Sequence, residues 1–473
     1  MKVRIAGFNI EKVLIDKLAP ELRAQATPEV ISAAYARLSR DPRSIEAIRR
    51  DARNDVERAR KSNERIVFQM GHASIAEHAV FNIDISGISR LAVEAIEHFR
   101  LASFTEKSQR YIKLGKDVMV PEELKEVGLE EEFNNVISRL YDAYREIYRA
   151  LVGSGYEVSV AKEDARYVMP LATTAQLGMT INARELEYMM SRLSAHPLTE
   201  LRKLSKELER KASKVAPSLI RYPEASEYVK DTDVARRYIE SVVRKKVSSR
   251  LSGKTSGDVN LIDYTRDGDK KIAASLIFSS CDCSMKEAMK VAGKMSKKEI
   301  IEIVARTFDK IHSYDSVWRE FETSYLTFEL LVSASCYAQL KRHRMATIIA
   351  QDYDTGLGVR IPPSILSSGL KRVFINGIKE AERFYRRLKK KLPSIADYIL
   401  TNAHRRRVLI NLNMREMYHF SRLRSDSHAQ WEIREISEGM CRFARKVMPL
   451  SAILLAGKDE FEDTRIKLNK ILK

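Results

Sequence analysis

The chain has 473 residues, more than one hydrophobic core usually needs, so two domains are expected. It is 44% apolar and 31% charged, which excludes a disordered, collagen-like or low-complexity protein. The net charge of +19 fits either a solvated cationic surface or an anionic partner such as a nucleotide, a nucleic acid or an acidic membrane.

The first half of the chain is predicted to contain two strands and several helices. Residues 2–8 alternate into a strand, residues 27–70 have a helical pattern, and residues 78–86 alternate into a second strand. Ser89 is placed to cap a helix that runs to about Phe99. Further amphipathic helices are predicted at residues 130–152, 161–167, 182–193 and 198–215.

Residues 223–257 resemble a linker, with a basic helix that holds Lys245 and Lys246 and a Ser/Gly-rich end. The same order of elements then recurs, so the predicted domains are residues 1–222 and 258–473. In the second half, strands are predicted at 259–263 and 321–330, and helices at 298–311, 333–343, 372–392, 415–423 and 431–447.

The two halves also match in residues. Residues 88–103 align with residues 332–347, and residues 181–186 align with residues 412–417. The sequence therefore predicts one fold that is present twice.

The four cysteines, Cys281, Cys283, Cys336 and Cys441, are too few to staple a chain of this length, so a reducing compartment is expected. The Cys281-Asp-Cys283 pair could be half of a metal or redox motif, but no second pair accompanies it, which favours structural thiols and no metal site. The sequence shows neither a signal peptide nor an apolar stretch of the roughly 18 residues that a membrane span needs. A soluble, cytoplasmic protein without a membrane partner is expected.

The second copy carries Arg342, His343 and Arg344 at the end of a predicted helix. The two guanidinium groups bracket an imidazole and are able to hold phosphate in a bidentate manner. The alternative is a capped helix end with surface arginines.

In the first copy, Ser108 and Arg110 stand two residues apart, so both face the same way in an extended segment. A hydroxyl beside a guanidinium is a compact anion site. Glu106 lies on the same face and could accept a hydrogen bond from a base or a sugar.

Together these segments resemble the signature of the flavin-dependent thymidylate synthases, the ThyX family, which is Arg-His-Arg-x-x-Ser-x-Asn-x-x-Ser-x-Arg. Further similarities to the family's motifs lie at residues 72–81, 182–186, 413–419 and 424–434. The resemblance covers about residues 30–220 and 320–450. It implies an α/β fold with two ThyX-like domains in an intramolecular pseudo-dimer, FAD as cofactor, dUMP as substrate, and methylenetetrahydrofolate and NADPH as co-substrates.

Neither copy keeps the whole signature, and the losses are complementary. The first copy has His98, Phe99 and Arg100 in place of Arg-His-Arg, but it keeps Ser103, Glu106, Ser108 and Arg110. The second copy keeps Arg-His-Arg, but its following positions hold Thr347, Ile349, Ala350, Asp352 and Asp354.

In the family, active sites lie between subunits of a homotetramer, so the resemblance implies one complete site built from both copies. The residues implied to bind dUMP are Gln339, Arg342, Glu106, Ser108, Arg110 and Arg166. Those implied to hold FAD are Ser74, Arg342, His343, Arg344, Asn413, Arg415 and His419. Arg424 would stabilise negative charge on the uracil ring and is the candidate catalytic residue; its counterpart in the first copy is either Leu193 or, with a one-residue gap, Arg192.

The reciprocal site would place carboxylates where phosphate binds, because it combines Ala95 and His98 with Ala350, Asp352, Asp354 and Asp397. The hypothesis is therefore a flavin-dependent thymidylate synthase that converts dUMP to dTMP, with one live site per pair of halves and a homodimer of chains resembling the family's tetramer.

Two other functions stay open, a regulatory protein that binds nucleotide or flavin on a decayed scaffold and a flavoenzyme that alkylates a different pyrimidine nucleotide. Nucleic-acid binding rests on charge alone, without interleaved aromatic residues, and ranks last.

Overall fold

A computed structural model describes residues 1–10, 14, 16, 19, 26–38, 41–108, 117–246 and 257–472. The chain divides into two compact units, the first formed by residues 1–251 and 362–401 and the second by residues 252–361 and 402–473. A segment from the second half of the sequence thus belongs to the first unit. The predicted domain limits at residues 222 and 257 concern the sequence repeat and stay a prediction.

The first unit contains a four-stranded antiparallel sheet with the strand order β1-β2-β4-β3. Its strands are β1 (Lys2–Phe8), β2 (Val80–Ser89), β3 (Ala102–Glu106) and β4 (Thr174–Asn182). The predicted strands β1 and β2 are confirmed, since alternate residues of β2, such as Phe81 and Ile83, are buried. Gly87 has a φ of +67° and marks a bulge in β2, which lets Ser89 reach the sheet end in register.

The helices of the first unit follow the predicted amphipathic segments closely. Ser89 caps its helix as predicted by accepting a hydrogen bond from the Ala92 backbone, although the helix ends at Ile96 rather than near Phe99. The helices are α1 (Glu29–Leu38), α2 (Ile45–Asn54), α3 (Val56–Asn63), α4 (Arg90–Ile96), α5 (Glu123–Glu126), α6 (Glu130–Gly153), α7 (Val158–Ala165), α8 (Ala183–Ser194), α9 (Thr199–Ala212), α10 (Glu227–Lys230) and α11 (Thr232–Lys246). A π-helical turn (Glu64–Gln69) continues α3, and 3₁₀ turns cover Ala73–His78 and Arg166–Val168.

Two helices from the second half of the sequence complete the first unit, α16 (Pro363–Ser367) and α17 (Lys371–Lys391), followed by a 3₁₀ turn at Pro393–Ile399. The central helix α6 packs against α17, where Phe133 contacts Phe384 with ring centroids 6.1 Å apart. Near the middle of this contact Arg139 pairs with Glu380 at 2.6 Å. The backbone of Pro170 forms a β-bridge to Thr401.

The second unit contains a sheet of the same topology, antiparallel with the order β5-β6-β8-β7. Its strands are β5 (Val259–Tyr264), β6 (Tyr325–Ser333), β7 (Thr347–Ala350) and β8 (Arg405–Asn413). Its helices are α12 (Gly268–Ser280), α13 (Met285–Lys294), α14 (Lys297–Arg306), α15 (Ala334–Leu340), α18 (Met414–Arg424), α19 (Trp431–Val447) and α20 (Phe461–Leu472). Helices α12 and α13 are absent from the prediction, although Ser284 and Glu287 form a capping box that marks the start of α13.

Matching contacts show that the two sheets correspond in register, apart from the extra residue of the β2 bulge, which β6 lacks. The side-chain amide of Asn82 donates to Thr180 at 2.8 Å across β2 and β4, and in the second sheet Asn411 donates to Thr327 at 2.7 Å, so the two residue types have exchanged strands. Ser103 lies opposite Thr180 and Thr347 lies opposite Asn411, as the sequence alignment requires.

A buried carboxylate binds the last residue of β2 and, in the same way, the last residue of β6. Glu200 accepts from the backbone and hydroxyl of Ser89 at 2.7 and 2.6 Å, and Glu432 accepts from those of Ser333 at 2.9 and 2.5 Å. These paired features confirm the predicted α/β fold in two tandem copies. Among the described residues, none of the helices combines the length and the apolar character that crossing a bilayer requires.

Candidate functional site

The Arg342–Arg344 segment follows helix α15 in the second unit. Ser333 caps α15 by accepting from the Cys336 backbone, and the helix ends at Leu340. Arg342 and Arg344 are exposed, whereas His343 between them is only 3% exposed. The segment therefore turns two guanidinium groups outward and one imidazole into the protein.

The buried imidazole of His343 bridges two residues of helix α18. Its Nδ1 lies 3.0 Å from Oε1 of Glu416, and its Nε2 accepts a hydrogen bond from Nε of Arg424 at 3.0 Å. Because Nε2 accepts, the ring proton is on Nδ1, which donates to the carboxylate. We call this arrangement the Glu416–His343–Arg424 chain.

Burial determines the protonation of His343 and shifts the pKa of Glu416. It lowers the pKa of His343 well below its ordinary value, and the positive charges of Arg424 and His419 act in the same direction. Burial also raises the pKa of Glu416. The imidazole is therefore neutral near pH 7, as its hydrogen bonds require.

His343 and Glu416 also belong, together with His419, to the one cluster of potential metal ligands found in the described part of the protein, a cluster missing from the prediction. One ligand atom each from His343, Glu416 and His419 lie within 4.8 Å of one another. However, the Nδ1 proton occupies the position of a metal bond, and the Arg424 guanidinium on the other ring nitrogen disfavours a second cation. The geometry thus fits a hydrogen-bonded chain better than a metal centre.

Gln339 contributes a polar group next to the Glu416–His343–Arg424 chain. Its backbone carbonyl accepts from Nη2 of Arg424 at 3.2 Å, so Arg424 is held by two of its nitrogens. The Gln339 side chain is 8% exposed, and its amide nitrogen makes no hydrogen bond within the described part of the protein. A buried amide donor without a partner is costly unless a ligand satisfies it.

Two of the residues that the resemblance selects for FAD are held by the fold. Asn413 caps α18, because its Oδ1 accepts from the Glu416 backbone at 2.8 Å. Arg415 donates to Glu322 at 2.7 Å and to the Val317 carbonyl at 2.8 Å. Both residues therefore fix the start of the helix that carries Glu416 and Arg424.

In the first unit, the structure pairs Glu106 with a residue absent from the predicted site. Nη1 of Arg90 donates to both carboxylate oxygens of Glu106 at 3.1 Å, and both side chains are buried. A signal for this pair was present in the sequence, since the corresponding positions of the second copy are Ala334 and Ala350. The second copy thus lacks both the arginine and the glutamate of this pair.

The other first-copy residues of the predicted dUMP site lie apart along the chain. Ser108 follows β3 and is partly buried. Arg166 is 8% exposed in the 3₁₀ turn after α7, where its Nε donates to the Glu163 carbonyl at 3.2 Å. Arg110 lies outside the described residues.

Ser74 is exposed in the 3₁₀ turn before β2. It belongs to the motif at residues 72–81, which contacts the motif at residues 182–186. Glu77 of this turn pairs with Arg184 of α8 at 2.6 Å, and the Ala183 backbone donates to the Ala79 carbonyl at 2.8 Å. The two first-copy motifs at residues 72–81 and 182–186 are therefore neighbours in space.

At the positions that match His343 and Arg424 the first copy has the apolar residues Phe99 and Leu193, whereas Glu185 matches Glu416 and is still a glutamate. The rings of Phe99 and Tyr188 lie 5.7 Å apart, the same separation as His343 and His419 in the second unit. Helices α8 and α18 both start after a capping Asn, and their buried residues follow one register without a gap. This register matches Arg424 with Leu193, which is 2% exposed, rather than with Arg192.

Comparison with known proteins gives two kinds of relative. A family model described as thymidylate synthase complementing protein matches the chain twice, over residues 21–218 and 260–450. A UPF0159 protein of Thermoplasma acidophilum is 25% identical over 488 residues, covering 91% of this chain and 94% of that protein. A flavin-dependent thymidylate synthase of Clostridium tetani is 30% identical over 208 residues, covering 41% of this chain and 82% of that protein.

A solved structure, the UMP/dUMP methylase PolB from Streptomyces cacaoi bound with 5-Br dUMP, matches 46% of this chain and 92% of its own at 20% identity, with a TM-score of 0.35. That score is too low to establish a common fold. The similarity in sequence thus extends over 91% of the chain in the Thermoplasma protein and over 41% of it in the Clostridium synthase.

Proposed function

Because the chain belongs to the family of the thymidylate synthase complementing proteins, which are flavin-dependent thymidylate synthases, we propose that it converts dUMP to dTMP by reductive methylation. Methylenetetrahydrofolate would donate the carbon, NADPH would be the reductant and FAD the cofactor. The observation that carries the proposal is the intact Glu416–His343–Arg424 chain in the second copy, of which the first copy keeps only the glutamate, Glu185, with Phe99 and Leu193 at the other two positions.

The proposed dUMP site takes Gln339 and Arg342 from the second copy, together with the catalytic candidate Arg424. From the first copy it takes Glu106, Ser108, Arg110 and Arg166. The buried, unpartnered amide nitrogen of Gln339 supports this site, because it is a donor suited to a carbonyl or hydroxyl group of a nucleotide.

Some of the residues proposed for FAD are able to contact it, and the others would position the residues that do. Arg342 and Arg344 are exposed cations suited to its phosphates, and Ser74 and His419 are exposed polar groups. Asn413 and Arg415 would act by holding α18, and His343 by holding Arg424. When bound, FAD supplies the transfer of reducing equivalents that protein side chains lack.

Arg424 would stabilise the negative charge that develops on the uracil ring. A guanidinium held in place before the reaction stabilises such charge without reorganising. His343 and the Gln339 carbonyl provide that fixed orientation, with hydrogen bonds of 3.0 and 3.2 Å.

The reciprocal set of residues would be silent in this proposal. Leu193 stands where Arg424 stands, and Ala350 stands where Glu106 stands. One chain would then bind one dUMP, and two chains would assemble as a dimer that resembles the family's tetramer.

The test begins with the absorbance spectrum of the purified protein, followed by titration of dUMP and by measurement of dTMP after addition of methylenetetrahydrofolate and NADPH. We expect bound flavin, one dUMP per chain and dTMP formation. A colourless protein that ignores dUMP would contradict the proposal, and two dUMP per chain would contradict the silent site.

Two matched variants separate the copies, because Ser108 and Asp352 occupy corresponding positions. Ser108→Ala should weaken dUMP binding about tenfold through the lost hydrogen bond to phosphate, whereas Asp352→Ala should leave it unchanged. Flavin and dUMP binding without turnover would instead indicate a regulatory protein, and turnover of another pyrimidine nucleotide would indicate a related alkylating flavoenzyme.

A further inference from the structure

The first unit has a cavity of about 390 Å³ at helices α1 and α3, and none of the described residues proposed for dUMP or FAD lines it. Four cationic side chains line it, from Arg37, Arg58, Lys61 and Arg65. Ser62 adds a hydroxyl, and Ile66 and Met70 add an apolar wall. The described lining holds no carboxylate, and the volume lies within the range of small-molecule sites.

Helical geometry explains why these side chains gather. Arg58, Lys61, Ser62 and Arg65 are spaced three, four and seven residues from the first, which places them on one face of α3 and its π-helical continuation. The π turn is a rare element that is frequent at functional sites.

Arg37 closes the cavity from the facing helix. It lies in the last turn of α1, where its Nε donates to the Ser62 hydroxyl at 3.3 Å and its Nη2 donates to the Arg58 carbonyl at 3.2 Å. These bonds fix the guanidinium against α3. Burial lowers the pKa of Arg37, and the positive charge of Arg58 acts in the same direction, whereas the carboxylates of Asp51 and Asp55 act against it.

The neighbouring carboxylates are already used elsewhere. Asp41 and Asp51 bind Arg43 at 2.8 and 2.5 Å, and Asp55 caps α3 by accepting from the Arg58 backbone at 2.9 Å. Glu57 pairs with Arg60 at 2.6 Å. Within the described ranges, Arg58, Lys61 and Arg65 form no salt bridge with a carboxylate.

We propose that this cavity is a binding site for a phosphate-bearing nucleotide, whose phosphates contact Arg37, Arg58, Lys61 and Arg65 and whose base lies against Ile66 and Met70. Arginine binds phosphate in a bidentate manner, and the fixed Arg37 lowers the ordering cost of binding. The site is independent of the proposed thymidylate synthase function, because it shares no residue with that site.

The test uses the full-length protein with saturating dUMP and FAD, so that the proposed substrate and cofactor sites are both filled, and titrates pyrophosphate and ADP by calorimetry. Wild-type protein should bind both ligands, and ADP more tightly because of its base. The Arg58→Gln/Arg65→Gln double variant should bind pyrophosphate at least tenfold more weakly while its unfolding temperature and dUMP binding stay unchanged.

The control is Arg149→Gln/Lys206→Gln, which removes the same charge from exposed positions of α6 and α9. Equal losses in both double variants would overturn the proposal, because the effect would then be general electrostatics. Absence of pyrophosphate binding to the wild type would also overturn it. So would cavity-dependent binding of a single-stranded oligonucleotide in the absence of ADP binding, since the occupant would then be nucleic acid.

Discussion

At the scale of single residues, the candidate site depends on an arginine that is oriented by a neutral histidine. His343 accepts from Arg424 only while its Nε2 carries no proton, and the Glu416 carboxylate keeps the proton on Nδ1. The sequence pointed to His343 and Arg424, yet Glu416 and Arg90 escaped the prediction. Each of these two acts through a partner that is 73 or 16 residues away, so only the folded chain shows it.

Replacing Arg424 with Leu copies the residue that the first copy has at this position. We expect dTMP formation to fall about 100-fold, which is the size of effect seen when one preorganised donor to a developing charge is removed. The measurement is kcat, with flavin content and the dUMP dissociation constant determined in parallel.

The control for this change is Arg192→Leu, which alters the same residue type one position before the counterpart Leu193. It should leave kcat unchanged. If Arg192→Leu abolished activity and Arg424→Leu did not, the assignment of the two copies would be reversed.

Protonation of His343 gives the protein a defined pH dependence. Its pKa in the folded state lies below the unfolded value of 6.5, so the unfolded chain binds the proton more tightly. The stability is therefore complete above about pH 6.5 and falls as the pH decreases, by up to about 1.4 kcal/mol per pH unit for one proton. The raised pKa of Glu416 acts in the opposite sense, since the stability it contributes is lost as the pH rises above its unfolded value of 4.5.

Denaturant unfolding in the Glu416→Gln background isolates the histidine, because the amide does not titrate. Between pH 6.5 and 5.5, this variant should lose stability more steeply than Glu416→Gln/His343→Asn. Parallel slopes in the two variants would show that His343 is not held neutral.

At the scale of elements, the packing of α6 against α17 holds the second-half segment in the first unit. Gly377 of α17 permits the close approach, because a Cβ there would lie 2.9 Å from Val168 Cγ2 and 3.5 Å from Leu140. Helices α6 and α17 themselves were predictable from their apolar periodicity. Their contact was not, since periodicity shows which face is buried but not what covers it.

Gly377→Ala should therefore destabilise the protein by about 1–3 kcal/mol through overpacking, despite the better helix propensity of Ala. Gly153→Ala is the matched control, because a Cβ at this helical position meets nothing within 4 Å. The control should be neutral or stabilising by up to about 1 kcal/mol. If chemical unfolding showed that Gly377→Ala is stabilising, the Val168 side chain would be able to move away from the new methyl group without loss of stability.

Strands β3, β4, β7 and β8 are missing from the prediction, and β4 and β8 show where local patterns mislead. In β4, alternate buried residues such as Leu177 and Met179 flank Gly178, which weakens the strand pattern. In β8 three arginines precede the alternating residues. Both strands lie inside their sheets, where cross-strand pairing on two sides compensates for unfavourable local sequence.

At the scale of the whole molecule, the segment 362–401 makes the halves of the sequence interdependent. A chain of residues 1–257 lacks this segment and would leave the apolar side of α6, including Phe133 and Leu140, uncovered. We expect this fragment to self-associate or aggregate, because a buried apolar face of this kind is unstable in water. Light scattering after size-exclusion chromatography checks it against the full chain, and a stable monomer with cooperative unfolding would contradict the expectation.

The sequence by itself determined the family, the repetition of the fold and the complementary loss of motif residues, because these depend on residue identity in a fixed order. Only the tertiary structure decided that Leu193 matches Arg424, that Arg90 neutralises Glu106 and that Glu416 orients His343. It also decided that residues 362–401 belong to the first unit. The physical reason is that hydrogen bonds and packing join residues far apart in the chain, and local periodicity carries no information about those partners.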